Sequence, residues 1–335
     1  MLFASALKTS FPAEENKRII IPKFGQQQKS SILTFYKINM QIISVIGSGT
    51  MGNGIAHTFA LAGYLVHLVD ISEESLKKGM QTIHKNLDRQ IAKNLITDEL
   101  KQKTINNIKT FSDLAIAVHD SDLIIEAATE NQGIKLQIFR DLDIYCKPEA
   151  ILASNTSSIS ITTIAAATKR PEQVIGMHFM NPVPVMKLVE VIKGYSTSDE
   201  VTRSIMELSL KLDKIPVEVN DYPGFVANRI LMPMINEAVY TLYEGVAGVH
   251  EIDTVMKLGM AHPMGPLQLA DFIGLDVCLA IMNVLYQGFG NPKYTACPLL
   301  VKMVKAGQLG VKTGNGFYNY SGGSKAPVVS GKFKR

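Results

Sequence analysis

The chain has 335 residues, of which 46% are hydrophobic and 19% are charged, and its formal net charge is +4. This is a globular composition, long enough for two domains. The small, dispersed charge argues against a nucleic-acid-binding protein, and no apolar run approaches the roughly 20 residues that span a bilayer. The three cysteines form no C-x-x-C motif, so we expect neither a metal site nor disulfides, and a reducing compartment, the cytoplasm.

Residues 1–39 are predicted to be a non-core N-terminal extension. They mix basic and acidic side chains and lack the continuous apolar segment of a secretory signal. A transit peptide would be richer in arginine and poorer in acidic residues. Met40 directly precedes the first predicted strand, so the fold is expected to begin there.

From Gln41 onward, predicted strands alternate with predicted helices. The strands are expected at 42–46, 64–69, 123–127, 151–153, 174–177 and 188–192. This alternation indicates βαβ units and a mostly parallel sheet, so residues 40–221 are predicted to form an α/β domain. Residues 222–320 are predicted to form an all-helical C-terminal domain, with a strand only at 317–318. The Gly-, Ser- and Lys-rich residues 321–335 are predicted to be a flexible tail.

A glycine fingerprint follows the first strand and opens a helix. Its members are Gly47, Ser48, Gly49, Thr50, Met51 and Gly52. Gly47 permits the tight turn, Gly49 lets a pyrophosphate approach the backbone, and Gly52 allows close packing of helix on strand. The helix N-terminus then offers free N–H groups to the phosphates. The pattern predicts a Rossmann-like domain that binds a dinucleotide.

Asp70 ends the second predicted strand, about 20 residues after the fingerprint, where an acidic side chain meets the adenine ribose. Its carboxylate accepts hydrogen bonds from both ribose hydroxyls and repels a 2′-phosphate. Ile71 and Ser72 supply no arginine to counter that repulsion. The predicted cofactor is therefore NAD rather than NADP.

His178 is the predicted general base. It follows an apolar strand and precedes a proline-rich loop, and ligands of open α/β sheets bind at the carboxyl ends of strands. Glu190 lies inside the next apolar strand, where a carboxylate needs a partner. An imidazole is a natural one, and the pair would act as a base with its orienting carboxylate. The alternative for Glu190 is a salt bridge to Lys187 or Lys193. Structural roles are favoured for the other histidines, which are His57, His67, His84, His119, His250 and His262.

Two further polar residues stand where a ligand could meet them. Ser157 follows the strand at 151–153, and its alternative role is helix capping, which Ser158 or Ser160 could also serve. Asn228 lies on an apolar helical stripe and needs a hydrogen-bond partner. Its alternative role is a buried interdomain hydrogen bond.

Six ordered motifs now converge on one pattern: GSGTMG, SNTSS, GMHFMNPVPVMKLVEVI, DYPGFVANRI, KLGMAHPMGP and GVKTGNGFYNY. The chain resembles the short-chain L-3-hydroxyacyl-CoA dehydrogenases, especially their bacterial 3-hydroxybutyryl-CoA branch, over about residues 40–320. The resemblance implies a homodimer formed through the helical domain. It implies that His178 and Glu190 are catalytic and that Ser157 and Asn228 position the substrate. It also implies cofactor contacts from Glu130, Lys135, Ser157, Asn181 and Lys312.

The predicted function is thus reversible, NAD-dependent oxidation of an L-(S)-3-hydroxyacyl-CoA, such as 3-hydroxybutyryl-CoA, in β-oxidation or butanoate metabolism. One alternative is a dehydrogenase of a free 3-hydroxy acid, although such enzymes commonly rely on a lysine base. The other is a non-enzymatic structural protein on the same fold, which loss of the histidine–glutamate pair would suggest. Both members of the pair are present here.

Overall fold

The computed structural model describes residues 40–323 and 327–334, so the prediction for residues 1–39 lies outside the described residues. The strands are β1 (Ile42–Ile46), β2 (Leu65–Val69), β3 (Ile108–Phe111), β4 (Leu123–Glu126), β5 (Ile151–Ser154), β6 (Val174–Phe179), β7 (Leu188–Lys193), β8 (Ile215–Asn220), β9 (Tyr318–Asn319) and β10 (Val328–Val329). The helices are α1 (Thr50–Leu61), α2 (Glu73–Ala92), α3 (Asp98–Asn106), α4 (Leu114–Val118), α5 (Gln132–Tyr145), α6 (Ile161–Ala165), α7 (Asp199–Lys211), α8 (Ala227–Tyr243), α9 (Val249–Gly259), α10 (Pro266–Ile273), α11 (Leu275–Phe289) and α12 (Pro298–Lys305).

Eight strands form one sheet in the order β3-β2-β1-β4-β5-β6-β7-β8. All neighbouring strands are parallel except β6 and β7, which run antiparallel. The mostly parallel Rossmann-like sheet is therefore confirmed. The two strands of this sheet that sequence reasoning missed, β3 and β8, are its two edges. Edge strands keep one side in solvent, and β8 contains Pro216, so neither has the continuous apolar run of a buried strand.

The sheet is covered by helices on both faces, because successive side chains of a strand point to opposite sides. Val45 of β1 packs with Phe59 of α1 in one apolar cluster, to which α2 and α7 also contribute. Its neighbour Ile46 packs with Phe139 of α5 in a second cluster on the other face, together with side chains of α4 and α6. Both phenylalanines are fully buried. This packing holds the carboxyl ends of the central strands in place.

Helices α8–α12 pack around a third apolar cluster, as predicted for a helical region that follows the sheet. Helix α8 begins four residues after Pro223, because Gly224 and Phe225 take up positive φ angles of 74° and 51° before it. Among the described residues, no single helix is long and apolar enough to cross a membrane. Helices α10 and α11 pass such a test only together, and they are bent by 96° relative to each other.

Two buried aspartates hold the C-terminal segment on these helices. Asp271 accepts hydrogen bonds from the backbone N–H groups of Phe317 (3.0 Å) and Tyr318 (2.9 Å) and from the hydroxyl of Tyr320 (3.0 Å). Asp253 accepts the hydroxyl of Tyr318 at 2.7 Å. The chain then returns as β10, which pairs antiparallel with β9.

This pairing corrects part of the prediction for the tail at 321–335. Val328 and Val329 pair with β9, and the N–H of Ser330 donates to the carbonyl of Phe317 at 3.0 Å. The Gly- and Ser-rich composition predicted a free end, but valines that can pair with the preceding strand follow those residues.

The buried Asp271 makes a pH-dependent contribution to stability. Burial raises the pKa of Asp271 to about 6, against the opposing effect of its hydrogen bonds. The contribution is therefore largest when the carboxyl is protonated, and it is lost as the pH rises from about 4 through about 6. Asp271→Asn removes the titration and leaves an N–H donor facing other donors. We expect its destabilisation, measured by chemical unfolding, to shrink by about 2 kcal/mol between pH 4 and pH 7. A destabilisation that grows with pH would contradict this assignment.

Candidate active site

The carboxyl ends of the parallel strands β1, β2, β4 and β5 meet at one edge of the sheet, and the glycine fingerprint lies there. Gly47 has a φ of 92°, and a Cβ on it would lie 2.6 Å from Cα of Ala128, so only glycine fits this turn. A Cβ on Gly52 would lie 1.7 Å from the carbonyl oxygen of Gly47. Gly47 is thus required by the turn beside Ala128, and Gly52 by the close approach of helix α1 to that turn.

Gly49 faces open space instead, and no described atom lies within 4 Å of the Cβ it lacks. It precedes α1, which no side chain of the described residues caps. The first N–H groups of α1 are therefore available to an anion. Beside them lies a cleft of about 580 Å³ whose lining includes Gly47, Asp70 and the apolar side chains of Ile46, Val69, Ile71, Leu114, Ile134 and Ile138. An open glycine, a free helix N-terminus and apolar walls fit a dinucleotide.

Asp70 lies at the end of β2 in this cleft, held by protein donors. Its Oδ2 accepts the N–H (2.9 Å) and the hydroxyl (2.8 Å) of Ser48, and its Oδ1 accepts the N–H of Ser72 at 3.1 Å. The carboxylate is thereby oriented beside the glycine turn. Lys78 of α2 also lines this cleft.

His178 and Glu190 lie directly opposite each other on the antiparallel strands β6 and β7. His178 is the fifth residue of β6, whereas the sequence placed it just after the strand. Its Nδ1 lies 2.7 Å from Oε2 of Glu190. An ionised carboxylate only accepts hydrogen bonds, so Nδ1 carries the proton and Nε2 is the basic nitrogen. Lys187 and Lys193, the alternative partners, pair with Asp213 and Asp199 instead.

Glu190 also joins the sheet to the helical region. Its Oε1 accepts the N–H groups of Ala227 (2.9 Å) and Val226 (3.2 Å) at the start of α8, where the helix dipole favours an anion. Burial would raise the pKa of Glu190, but the hydrogen bonds from His178, Ala227 and Val226 outweigh it and hold the pKa below its ordinary value. The carboxylate is therefore ionised at neutral pH, as an orienting partner of the histidine must be.

Ser157, Glu130 and Asn228 form a second group at the same edge. The carboxylate of Glu130 accepts the N–H (2.6 Å) and the hydroxyl (2.7 Å) of Ser157. The amide of Asn228 donates to the carbonyl of Ser157 at 3.0 Å, which is the interdomain hydrogen bond considered from the sequence. Ser160, not Ser157, caps α6 by accepting the N–H of Thr163 at 3.2 Å. The hydroxyl of Ser157 is thus not used for capping that helix.

Lys135 lies behind this group, and its partner was missed by sequence reasoning. Its ammonium pairs with the fully buried Glu126 and lies 3.8 Å from Oε2 of Glu130. Glu126 ends the apolar run of β4. A carboxylate on an apolar strand was the signal that identified Glu190, and the same signal could have identified Glu126.

Of the remaining predicted residues, Asn181 and Met51 lie near the glycine turn and Lys312 lies in the helical region. Asn181, two residues after the end of β6, lines a second cleft of about 310 Å³ together with Gly49, Thr50 and residues of α2. Met51 is half-buried in the first turn of α1. Lys312 lies in the helical region, where it donates to Asp276 at 2.6 Å, so the contacts described do not join it to the cleft. Across residues 40–323 and 327–334, no cluster of three or more His, Cys, Asp or Glu side chains could hold a metal ion.

Comparisons with known proteins match both parts of the chain. Residues 42–222 match the family model described as 3-hydroxyacyl-CoA dehydrogenase, NAD binding domain, and residues 224–320 match the model of its C-terminal domain. A 3-hydroxybutyryl-CoA dehydrogenase of Bradyrhizobium diazoefficiens is 56% identical, over 85% of this chain and 97% of that protein. One from Clostridioides difficile is 53% identical, over 83% and 99%. The crystal structure of (S)-3-hydroxybutyryl-CoA dehydrogenase from Ralstonia eutropha superposes with a TM-score of 0.82 at 50% identity, covering 84% of this chain and 99% of that one.

Proposed function

We propose that this chain, which belongs to the 3-hydroxyacyl-CoA dehydrogenase family, catalyses the reversible NAD-dependent oxidation of (S)-3-hydroxybutyryl-CoA to its 3-oxo form. The observation that carries the proposal is the 2.7 Å contact between His178 and Glu190 at the same sheet edge as the glycine turn. Relatives at 53–56% identity named for this activity support the choice of substrate.

His178 is proposed to take the proton of the substrate's 3-hydroxyl group through Nε2 during oxidation and to return it during reduction. Glu190 stabilises the imidazolium that forms and keeps the proton of the neutral ring on Nδ1. Ser157 and Asn228, joined by a hydrogen bond across the two regions, position the oxygen as it becomes a carbonyl. When bound, NAD⁺ supplies the acceptor for the hydride that leaves C3.

The residues proposed to hold the cofactor are those of the glycine turn and the strand ends beside it. The backbone of Gly47–Gly52 would contact the pyrophosphate and Asp70 the adenine ribose. Glu130, Ser157 and Asn181 would contact the rest of the cofactor, whereas the buried Lys135, predicted to do so, would act from behind them through Glu130. Lys312 remains a prediction that would require the helical region to bring it closer.

Asp70→Asn tests the basis of cofactor choice. The amide keeps one acceptor oxygen but loses the negative charge that orients the ribose hydroxyls and repels a 2′-phosphate. We expect the ratio of kcat/KM for NADH to that for NADPH to fall about tenfold or more, a change of about 1.4 kcal/mol. Asp98→Asn, which removes the same charge at the exposed start of α3, should leave the ratio unchanged. An unchanged ratio in Asp70→Asn would show that other groups select the cofactor.

The proposed substrate class is tested by comparing acetoacetyl-CoA with free acetoacetate as oxidants of NADH. We expect rapid turnover of the thioester and little of the free acid, because binding energy from the coenzyme A portion contributes to catalysis. Preferential turnover of free acetoacetate would favour the dehydrogenase of a free 3-hydroxy acid. If the folded protein reduces neither acetoacetyl-CoA nor free acetoacetate, the non-enzymatic alternative is favoured.

We further propose a homodimer through the helical region. Its helices expose apolar side chains that a second copy would cover, including Ile230 (67% exposed) on α8 and Leu258 (83% exposed) on α9. Cys146, Cys278 and Cys297 are buried thiols with no disulfide among the described residues, which supports the proposed cytoplasmic location. β-Oxidation or butanoate metabolism would use such a reaction.

A further inference from the structure

A buried ion pair lies at the carboxyl end of β4, and the chemistry proposed above does not use its carboxylate. Glu126 is fully buried and Lys135 of α5 is 1% exposed, with their charged atoms in contact. Taking two charges out of water is costly, and a buried ion pair by itself is weak support for stability. Its place beneath the proposed cofactor and substrate residues points to a functional reason for retaining it.

One oxygen of Glu126 holds the wall of the cofactor cleft. Its Oε1 accepts the N–H of Ala128 at 2.9 Å. Ala128 lines that cleft, and its backbone is the surface on which Gly47 packs. The carboxylate of Glu126 therefore orients the turn that supports the glycine fingerprint.

The other oxygen acts on the substrate side of the site. Oε2 contacts Lys135 and accepts the hydroxyl of Ser154 at 2.8 Å. The same ammonium lies 3.8 Å from Glu130, the half-exposed carboxylate that accepts both the N–H and the hydroxyl of Ser157. While Glu126 holds the ammonium, Glu130 remains free to hold Ser157. Without that charge, Lys135 would draw Glu130 away from the serine.

We propose that Glu126 is a positioning residue that sets both the cofactor cleft and Ser157, acting through Ala128 and Lys135. This inference rests on the proposed function, because the groups that Glu126 orients are those assigned there to NAD and to the substrate. Glu126 itself is fully buried and contacts neither.

The test is Glu126→Gln, which keeps the shape and an acceptor oxygen but removes the charge. We expect the Kd for NADH, measured by titration of its fluorescence, to rise about tenfold, and kcat/KM for acetoacetyl-CoA to fall by a similar factor. Asp122→Asn is the matched control, because Asp122 pairs with Lys147 at the opposite end of the same strand. The control should lower the melting temperature without changing the Kd. If Glu126→Gln lowers the melting temperature but leaves the Kd for NADH unchanged, the proposal is overturned.

A double-mutant cycle separates positioning from a general loss of packing. If Glu126 acts on Ser157 through Lys135, then Glu126→Gln added to Lys135→Met should change kcat/KM for acetoacetyl-CoA at saturating NADH by less than about twofold, whereas its effect on the Kd for NADH through Ala128 should persist. Equal effects on kcat/KM in the wild-type and Lys135→Met backgrounds would overturn the proposed route through Lys135. Should Glu126→Gln fail to fold, Ser154→Ala removes one donor to Glu126 and leaves both charges. It is expected to raise the Kd about threefold, and an unchanged Kd would count against the proposal.

Wild-type protein is measured first in the same titration and assay. If it binds NADH and reduces acetoacetyl-CoA while Glu126→Gln behaves identically, only the role of Glu126 is wrong. If folded wild type neither binds NADH nor turns over, the proposed function fails and this inference fails with it.

Discussion

His178→Asn is expected to lower kcat for NADH oxidation by acetoacetyl-CoA about 10²–10⁴-fold, the usual contribution of a general acid–base group. The amide cannot carry and release a proton near neutral pH, so in the assayed direction the 3-oxo oxygen loses the proton donor that turns it into a hydroxyl. The Kd for NADH should change little, because the histidine lies on β6 and the glycine turn follows β1. The measurement is steady-state kinetics together with an NADH fluorescence titration.

The control for this variant is His119→Asn. His119 is exposed, follows the short helix α4 and pairs with Asp120, so its loss should leave kcat unchanged. The melting temperature of His178→Asn shows whether the site remains folded. Folded His178→Asn that turns over at the wild-type rate would remove His178 as the base.

Glu190→Gln is expected to lower kcat by up to about 10⁴-fold, by analogy with the loss of the orienting carboxylate in a catalytic triad. Glu190 accepts from three groups, namely Nδ1 of His178 and the N–H groups of Val226 and Ala227. Glutamine has one acceptor oxygen. If the oxygen faces His178, the amide NH₂ opposes the backbone donors, and in the reverse orientation the imidazole adopts the wrong tautomer.

The same substitution should weaken the link between the sheet and α8, with a pH dependence of known sign. Hydrogen bonds hold the pKa of Glu190 below its ordinary value, so its stabilising contribution is present above that value and is lost as the pH falls through its lowered pKa. The difference in unfolding free energy between wild type and Glu190→Gln should therefore narrow below about pH 4. If Glu190→Gln has the wild-type kcat and the wild-type unfolding free energy at every pH, both the catalytic and the structural role of Glu190 are contradicted.

Much of this site could be inferred from the sequence because each element there carries a local signal. A glycine fingerprint between a predicted strand and a predicted helix needs glycine at its turn, and a carboxylate on an apolar strand has to find a partner. These requirements identified Gly47 and Glu190. The sequence could not supply the antiparallel register that places His178 opposite Glu190, since register depends on strand pairing across the sheet.

The features that sequence reasoning missed depend on tertiary contacts. Strands β3 and β8 lie at the edges of the sheet, where exposure weakens the apolar pattern. Glu126 carries the same signal as Glu190, but its partner Lys135 lies on a helix and was predicted to face the cofactor. Lys312 was assigned by resemblance alone, and here its ammonium pairs with Asp276.

The most direct test of the central claim is NADH formation from NAD⁺ by purified wild-type protein, with (S)- and (R)-3-hydroxybutyryl-CoA measured side by side. The account predicts a rapid rise in NADH absorbance with the S isomer and little rise with the R isomer. In His178→Asn the rise with the S isomer should be lost. Folded protein that binds NADH but oxidises neither isomer, or that prefers the R isomer, would contradict it.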